Sequence, residues 1–561
     1  MDWQKTLLIT AMCAVVFTLV IRYNDFQEGQ TEQTEQSRTV QSSAANAESA
    51  VSELPEAGSD NELPSTPGDG QTAQASPQSV GSEPIRVITD TLVVDIDPRG
   101  GDLVYSALRK HYAELNTPED PFVLLNSSNL QTYTAQSGLV GQNATDTSEG
   151  RPTFQSAQRE YRLADGQDEL QVDLTLQQGD VTITKRYTFH SNDYLVQLDY
   201  LIDNQSNAPW QANLYGQIKR DSSAAGSAPG GMFAIHPFLG AALTTDDEKY
   251  KKLDFDDLRE QPFRTQKEGG WVAMVQHYFV SAWIPDAEQT HNYTLRQLGN
   301  RDLFLMGFTS PSTQVAPGEQ GQISARFYTG PKDTQKLEEI SPYLDLTVDY
   351  GWLWWLAKPL FSVLDWLHSF LGNWGLAIIA LTIIIKAAFF KLSATSYRSM
   401  AKMRKLSPKM QELKERYGDD RQKMSQELMK LYKKEKVNPL GGCLPILIQM
   451  PVFLSLYWVI MESVELRHAP FFLWIQDLSV KDPYFVLPLL MGLTMFVQFK
   501  LNPTPPDPTQ AKIMQLMPII FTFLFLFFPA GLVLYWVTNN TLSIAQQYYI
   551  TRQIERQDVK S

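Results

Sequence analysis

One cation stands inside an otherwise apolar run, Leu376-Ala-Ile-Ile-Ala-Leu-Thr-Ile-Ile-Ile-Lys386-Ala-Ala-Phe-Phe390. An ammonium in hydrocarbon is costly unless it meets water or a polar partner, so such residues face a cavity or a neighbour. Its chemistry is electrostatic: it attracts carboxylates and polar groups without forming covalent bonds. Other polar residues interrupt neighbouring apolar runs, namely Thr382, Gln449, Gln498, Thr538, Asn539 and Asn540. Polar side chains in an apolar solvent need partners, so these are expected to converge on a hydrated interior. For Asn539 and Asn540, interhelical hydrogen bonding is an equal reading. Snorkelling to a nearby interface is the plain alternative for Lys386. On a helix from Asn373 to about Lys391, Lys386 lies roughly 20 Å along the axis. Helical side chains lean towards their own N-terminus, here back towards the bilayer centre, which favours a buried, water-lined position.

The elements that must hold these residues follow from a chain of 561 residues with two regimes. Residues 24–345 are polar, acidic and broken by turn residues, whereas 350–550 carry apolar runs separated by short loops. The formal charge of −14 is unevenly placed: residues 391–440 hold 14 Lys/Arg against 6 Asp/Glu, so they carry +8 and the remainder −22. Only Cys13 and Cys443 occur, both in apolar runs, so no disulfide framework supports the polar region. It must fold on its own core, and it is long enough to do so.

Residues 1–23 contain an apolar run from Leu7 to Ile21 without a small-x-small cleavage site, and read as an uncleaved signal anchor. Residues 24–83, rich in Gln, Ser, Glu, Pro and Ala, are expected to form a disordered linker. From Pro84 to 345, period-two segments bounded by turn residues predict a large β-sandwich. They include Ile85–Ile96, Leu170–Leu176, Val181–Thr188, Tyr194–Tyr200, Trp271–Trp283 and Gly321–Tyr328. His190, His236 and His277 lie there without metal-ligand spacing, and no catalytic set emerges.

Residues 350–370 hold Trp352, Trp354, Trp355 and Trp366 with Lys358, Asp365 and His368. That composition, with Pro359, predicts an amphipathic helix on a bilayer surface. Five spans are expected after it: one within 371–393 and four within 441–550. Between them, 394–440 reads as a basic helical hairpin, Thr395–Arg416 and Arg421–Lys436, with stripes Leu406/Met410/Leu413 and Met424/Leu428/Leu431. Asp419 with Gln422 fits a capping box. Positive charge inside puts this hairpin in the cytoplasm, both termini (including the tail 551–561) beside it, and the sandwich in the periplasm. The fold class is therefore a multi-domain membrane protein with an N-terminal signal anchor, a periplasmic β-sandwich and an α-helical five-span core bearing a cytoplasmic hairpin.

Four stretches carry a resemblance: Ser399-Met-Ala-Lys-Met-Arg404, Tyr432-Lys-Lys-Glu-Lys-Val-Asn-Pro-Leu-Gly-Gly-Cys443, Pro445-Ile-Leu-Ile-Gln-Met-Pro451 and Gly531-Leu-Val-Leu-Tyr535. They resemble the bacterial membrane protein insertases of the YidC (Oxa/Alb-type) family, and the order of segments is similar along the whole chain. The resemblance implies no enzyme activity and no cofactor. It implies a polar groove, open to cytoplasm and lipid, that receives nascent inner-membrane proteins alone or with the Sec translocon. Lys386, Thr382, Gln449, Phe453, Tyr535 and Trp536 match its groove positions. Nascent membrane proteins, the Sec translocon, membrane lipids and, weakly through cytoplasmic loops, the ribosome are the implied partners. Many members carry arginine where this chain has Lys386, and lysine keeps the charge while losing the planar fork. The alternatives from other classes are a transporter, which would need polar groups on both sides of the midplane, and a membrane-anchored periplasmic carbohydrate-binding protein.

Overall fold

The computed structural model describes residues 83–558 except 116, 118, 129–130, 148–149, 224–236, 418–419, 436–443 and 503–507. The expected signal anchor, most of the linker, His236 and Asp419 lie outside the described residues. Alternating sequence produces alternating burial: in the strand Leu195–Asn204, Val196, Leu198, Tyr200 and Ile202 point into the core, and Gln197 and Leu201 away from it. Such strands build two sheets. The ten-stranded sheet runs in the order Phe263–Glu268, Thr290–Gln297, Phe304–Val315, Trp210–Arg220, Thr132–Val140, Pro121–Ser127, Asp102–Tyr112, Leu92–Asp97, Ile85–Ile88, Glu160–Arg162. The nine-stranded sheet runs Lys251–Leu253, Gly240–Leu243, Val272–Val275, Phe279–Ile284, Gln320–Pro331, Leu195–Asn204, Val181–His190, Glu169–Gln178, Gln155–Ser156. Pairing is antiparallel apart from Ile85–Ile88 against Glu160–Arg162.

Two segments read as single strands are hairpins. Ile85–Ile96 turns at Thr89–Thr91, where Thr89 Oγ1 accepts from the amides of Thr91 and Leu92 at 3.2 and 2.9 Å. Trp271–Trp283 turns after Val275, closed by the Gln276 amide on the Phe279 carbonyl at 3.0 Å. Apolar residues continue on both sides of each turn, so periodicity alone could not locate it.

The helices are α1 Phe255–Glu260, α2 Thr334–Ile340, α3 Trp354–Leu371, α4 Trp374–Ala388, α5 Phe390–Lys405, α6 Ser407–Tyr417, α7 Arg421–Lys434, α8 Leu444–Glu462, α9 Val486–Leu501, α10 Pro508–Phe525 and α11 Ala530–Asp558. Helix α3 runs through Pro359, burying Ala357, Phe361, Leu364 and Leu367. It leaves Trp354, Trp355, Trp366 and Phe370 exposed. Gly372, at φ +62°, ends it, and the Asn373 side chain caps α4 by accepting from the Leu376 amide at 3.0 Å.

The predicted hairpin helix Thr395–Arg416 is divided at Leu406. Pro408 lacks the amide that would bond the Arg404 carbonyl, so the chain restarts as α6. Its first half, α5, packs on α11 through Ala394, Tyr397, Met400 and Ile550. Helices α6 and α7 form the antiparallel pair, joined by Lys409 Nζ on Glu435 Oε1 at 2.8 Å and Tyr432 OH on Met410 Sδ at 3.3 Å. The cap of α7 is Asp420 rather than Asp419: its carboxylate accepts from the Lys423 amide at 3.1 Å. Among the described residues no single helix is long and apolar enough to cross a membrane, but α4 and α5, bent by 68°, pass that test together.

Where the sandwich meets the helices, charge is buried and paired. Lys332 Nζ lies 2.8 Å from Glu462 Oε2 at the end of α8, with side chains 1% and 5% exposed. His277 Nε2 donates to the Met461 carbonyl at 2.7 Å. Arg467 Nη2 donates to the carbonyls of Tyr112 and Ala113 at 2.6 and 3.1 Å, over the rings of Phe122 and Phe279. The loop after α8 also fixes α11: the Ala530 and Gly531 amides bond the Val480 and Leu478 carbonyls at 2.7 and 2.9 Å. A Cβ on Gly531 would come within 3.1 Å of that Leu478 oxygen.

Candidate functional site

Helix α11 is the element on which the candidate residues meet. Along one face, at intervals of four, it carries Tyr535, Asn539, Ser543 and Gln547, all buried. The stripe spans roughly 18 Å at 1.5 Å per residue. The neighbouring helices each contribute a polar or aromatic contact to it or to the adjacent row.

Lys386 occupies the last turn of α4, where unpaired carbonyls favour a cation. Its Nζ donates to Ser543 Oγ at 2.8 Å, and Ser543 Oγ in turn donates to the Asn539 carbonyl at 2.8 Å. Tyr397, from α5 beyond the bend, reaches the same serine hydroxyl. No carboxylate pairs with Lys386 among the described residues. Gln449 on α8 donates through Nε2 to the buried Tyr535 hydroxyl. Phe453, one turn further along α8, meets Trp536 edge-on at 4.8 Å, and Phe525 of α10 lies 5.5 Å from the same indole. Thr382, buried on α4, donates to the Ile378 carbonyl of its own helix at 2.7 Å.

The six residues singled out from sequence thus fall on α4, α8 and α11. Two pairs are in direct contact, Gln449 with Tyr535 and Phe453 with Trp536. Lys386 bonds none of the other five: its partner Ser543 lies two turns from Tyr535, about 12 Å along α11. Ser543 and Tyr397 were missed. The four-residue spacing of Tyr535, Asn539, Ser543 and Gln547 was the available signal for the serine. Asn540 reaches Thr494 Oγ1 on α9 at 3.4 Å, and Gln547 donates to Asn502 Oδ1 at 3.0 Å. Trp536 Nε1, Asn539 Oδ1, Ser455 Oγ and Gln547 Oε1 are buried without hydrogen-bond partners among the described residues. Buried polar atoms of this kind call for water or a visiting polar chain. The arrangement can attract, hold and release polar or acidic groups.

Comparison with known proteins gives a consistent result. The model of the YidC periplasmic domain matches residues 84–363, and that of the 60Kd inner membrane protein matches 366–557. A membrane protein insertase YidC from Cellvibrio japonicus is 60% identical over 562 residues, covering 100% of both chains. Its counterpart from Saccharophagus degradans is 54% identical, covering 99% of this chain and 100% of the relative. That of Pseudomonas aeruginosa is 50% identical, covering 99% of each. Among solved structures, an active YidC insertase with its first transmembrane domain resolved aligns with TM-score 0.39 and 20% identity, over 84% of this chain and 93% of that one.

Proposed function

The chain belongs to the YidC family of membrane protein insertases, and we propose that Lys386 is the electrostatic centre of a polar groove that receives its clients. As an inner-membrane insertase it acts on nascent membrane proteins. The groove is bounded by α4, α5, α8 and α11 and lined by Lys386, Thr382, Gln449, Phe453, Tyr535 and Trp536, with Ser543 added. The observation that carries this reading is Lys386 held by a neutral hydroxyl, with no carboxylate among the described residues neutralising it. An ammonium so placed is available to acidic or polar flanks of an incoming chain, and the work is done without covalent chemistry or cofactor.

The proposed topology follows the charge distribution. An N-terminal anchor and the helices α4, α8, α9, α10 and α11 cross the membrane, the sandwich lies in the periplasm, and the α6–α7 pair and both termini face the cytoplasm. Helix α3 lies at the outer interface on its exposed tryptophans. Helix α4, of 15 residues, is about 22 Å long against a hydrocarbon core of about 30 Å, so the bilayer thins beside the groove. The α6–α7 pair meets ribosomes weakly and anionic lipid, and the helical core works alone or beside the Sec translocon.

The test is insertion of matched acidic and neutral single-span clients into proteoliposomes by Lys386→Arg, Lys386→Ala and Lys386→Glu. The arginine variant should keep near-parental rates. The alanine variant should lose about tenfold or more on acidic clients, the worth of one charge-assisted hydrogen bond, and less on neutral ones. The glutamate variant should be worst on acidic clients, because like charges repel in a site of low dielectric. Equal rates for all four proteins would reduce Lys386 to a snorkelling residue.

A further inference from the structure

The nine-stranded sheet bears, on the side away from the sandwich core, a cleft of about 250 Å³ lined by Gln197, Ile284, Pro285, Asp286, Ser324 and Arg326. Arg326 lies in register between Gln197 on one neighbouring strand and Ile284 on the other. Burial works against its charge and holds its pKa below the ordinary arginine value. Among the described residues its guanidinium has no ion pair and no hydrogen-bond partner, although Asp286 lines the same cleft and Asp199 lies on the neighbouring strand.

Those carboxylates are engaged elsewhere. Asp199 accepts from Gln197 Nε2 at 3.1 Å, Gln322 Nε2 at 2.9 Å and Ser324 Oγ at 2.5 Å. Asp286 accepts from the Glu288 amide and from Gln289 Nε2, each at 3.0 Å, within its own turn. The sheet therefore presents a half-desolvated guanidinium fork to an open cleft. A fork of this shape recognises planar oxyanions through two parallel bonds. Asp286, on the wall of the cleft, repels multiply charged anions, which favours a single carboxylate over a phosphate. The volume falls below the roughly 300–1,000 Å³ of drug-sized sites, which suits one monosaccharide-sized molecule or one side chain.

We propose that this cleft binds a small carboxylate, with its charge on Arg326, a hydroxyl or amide on Gln197 Oε1, and its carbon skeleton against Ile284 and Pro285. The carboxylate comes from a free hydroxy acid or from an acidic side chain of a peptide segment, and the two sources share this chemistry. The site is independent of the helical groove.

Full-length protein in nanodiscs should be titrated calorimetrically with D-glucuronate, with D-glucose as its uncharged counterpart, and with a blocked aspartate-containing tetrapeptide. Saturable binding of glucuronate or peptide, with none of glucose, is expected. Tighter glucuronate binding assigns the source to free acids, and tighter peptide binding assigns it to chain segments. Arg326→Met should weaken binding by at least about tenfold, the loss of one charge-assisted hydrogen bond, and Arg326→Lys by less. Asp286→Asn, which removes a like charge without touching Arg326, should tighten it. Client insertion should be unchanged in all three variants. Absence of saturable carboxylate binding by the parent up to millimolar concentration overturns the proposal, as does parental affinity in Arg326→Met.

Discussion

Two lysines of this molecule are withdrawn from water in opposite ways. Lys332, at the junction of sandwich and helices, is almost wholly buried and closed by the Glu462 carboxylate at 2.8 Å. Lys386, on α4, is half-buried and rests at the same distance on a serine hydroxyl. Desolvating an ion pair is costly, and its members become strongly interdependent once buried. The first arrangement is suited to holding two parts together, and the second leaves a charge whose partner can be exchanged. The side chain is the same in both places, and the neighbour decides what it can do.

The coarsest way to test the comparison is to remove the bulk of the sandwich from beneath the junction while leaving both lysines in the chain. Deleting residues 30–330 takes away His277 and the aromatic bed of Arg467. We predict that client insertion in vesicles remains measurable while the helical part melts at lower temperature than in the parent. Complete loss of insertion with a correctly folded helical part would refute the separation of the two regions.

Lys332→Met isolates the ion pair. Leaving Glu462 buried without its partner should cost about 3–5 kcal/mol in denaturant unfolding in detergent, and Lys332→Met/Glu462→Leu should recover most of that. If the single and double variants unfold alike, the pair is not what fastens the junction.

At the other lysine the matching change is smaller. Ser543→Ala removes the resting partner of Lys386 but not its charge, so stability should fall by about 1 kcal/mol. Insertion of acidic clients should change less than in Lys386→Ala. A loss as large as that of Lys386→Ala would mean the hydroxyl itself contacts the client.

The pH dependence of the junction is the finest test. Burial, and then the Lys332 charge, lowers the His277 pKa from 6.5 to about 4. Between these values the unfolded chain binds the proton and the folded one does not, so His277 contributes stability that is full above about 6.5 and lost as pH falls towards 4. Burial raises the Glu465 carboxyl to about 8, which gives a slope of opposite sign between about 4.5 and 8. The quantity to measure is therefore the difference in melting temperature between parent and His277→Gln, at pH 7 and at pH 5. The gap should narrow on acidification, and a gap independent of pH would assign the titration elsewhere.

What the sequence made legible follows from the range of each interaction. The segment Val181–Thr188 announced its strand because neighbours alternate in burial, and Lys386 announced itself because hydrocarbon makes one charge conspicuous. The Thr89–Thr91 turn was hidden because threonine serves strands and turns alike, and it took the hydroxyl's bonds to reveal it. Lys332 and Glu462 lie 130 positions apart, and nothing local to either one names the other. Ser543 carries a local mark, its place in a four-residue polar repeat with Tyr535, Asn539 and Gln547. Which members of the groove set touch depended on helix register, and that is set by packing of α4 and α8 on α11.

The hydroxyl under Lys386 also bears on timing. On the proposed reading, a client flank that displaced Ser543 would exchange one hydrogen bond of the ammonium for another, so the driving force would be a difference between two similar contacts. Dwell time would then depend on how much stronger the client's group is than an alcohol, and neutral flanks would be released almost as readily as they arrive. Had the resting partner been a carboxylate, as at Lys332, each encounter would begin by breaking an ion pair and arrival would be slow. With serine there, the proposed groove would favour turnover over storage, and a chain would pass on to lipid once its apolar stretch partitions.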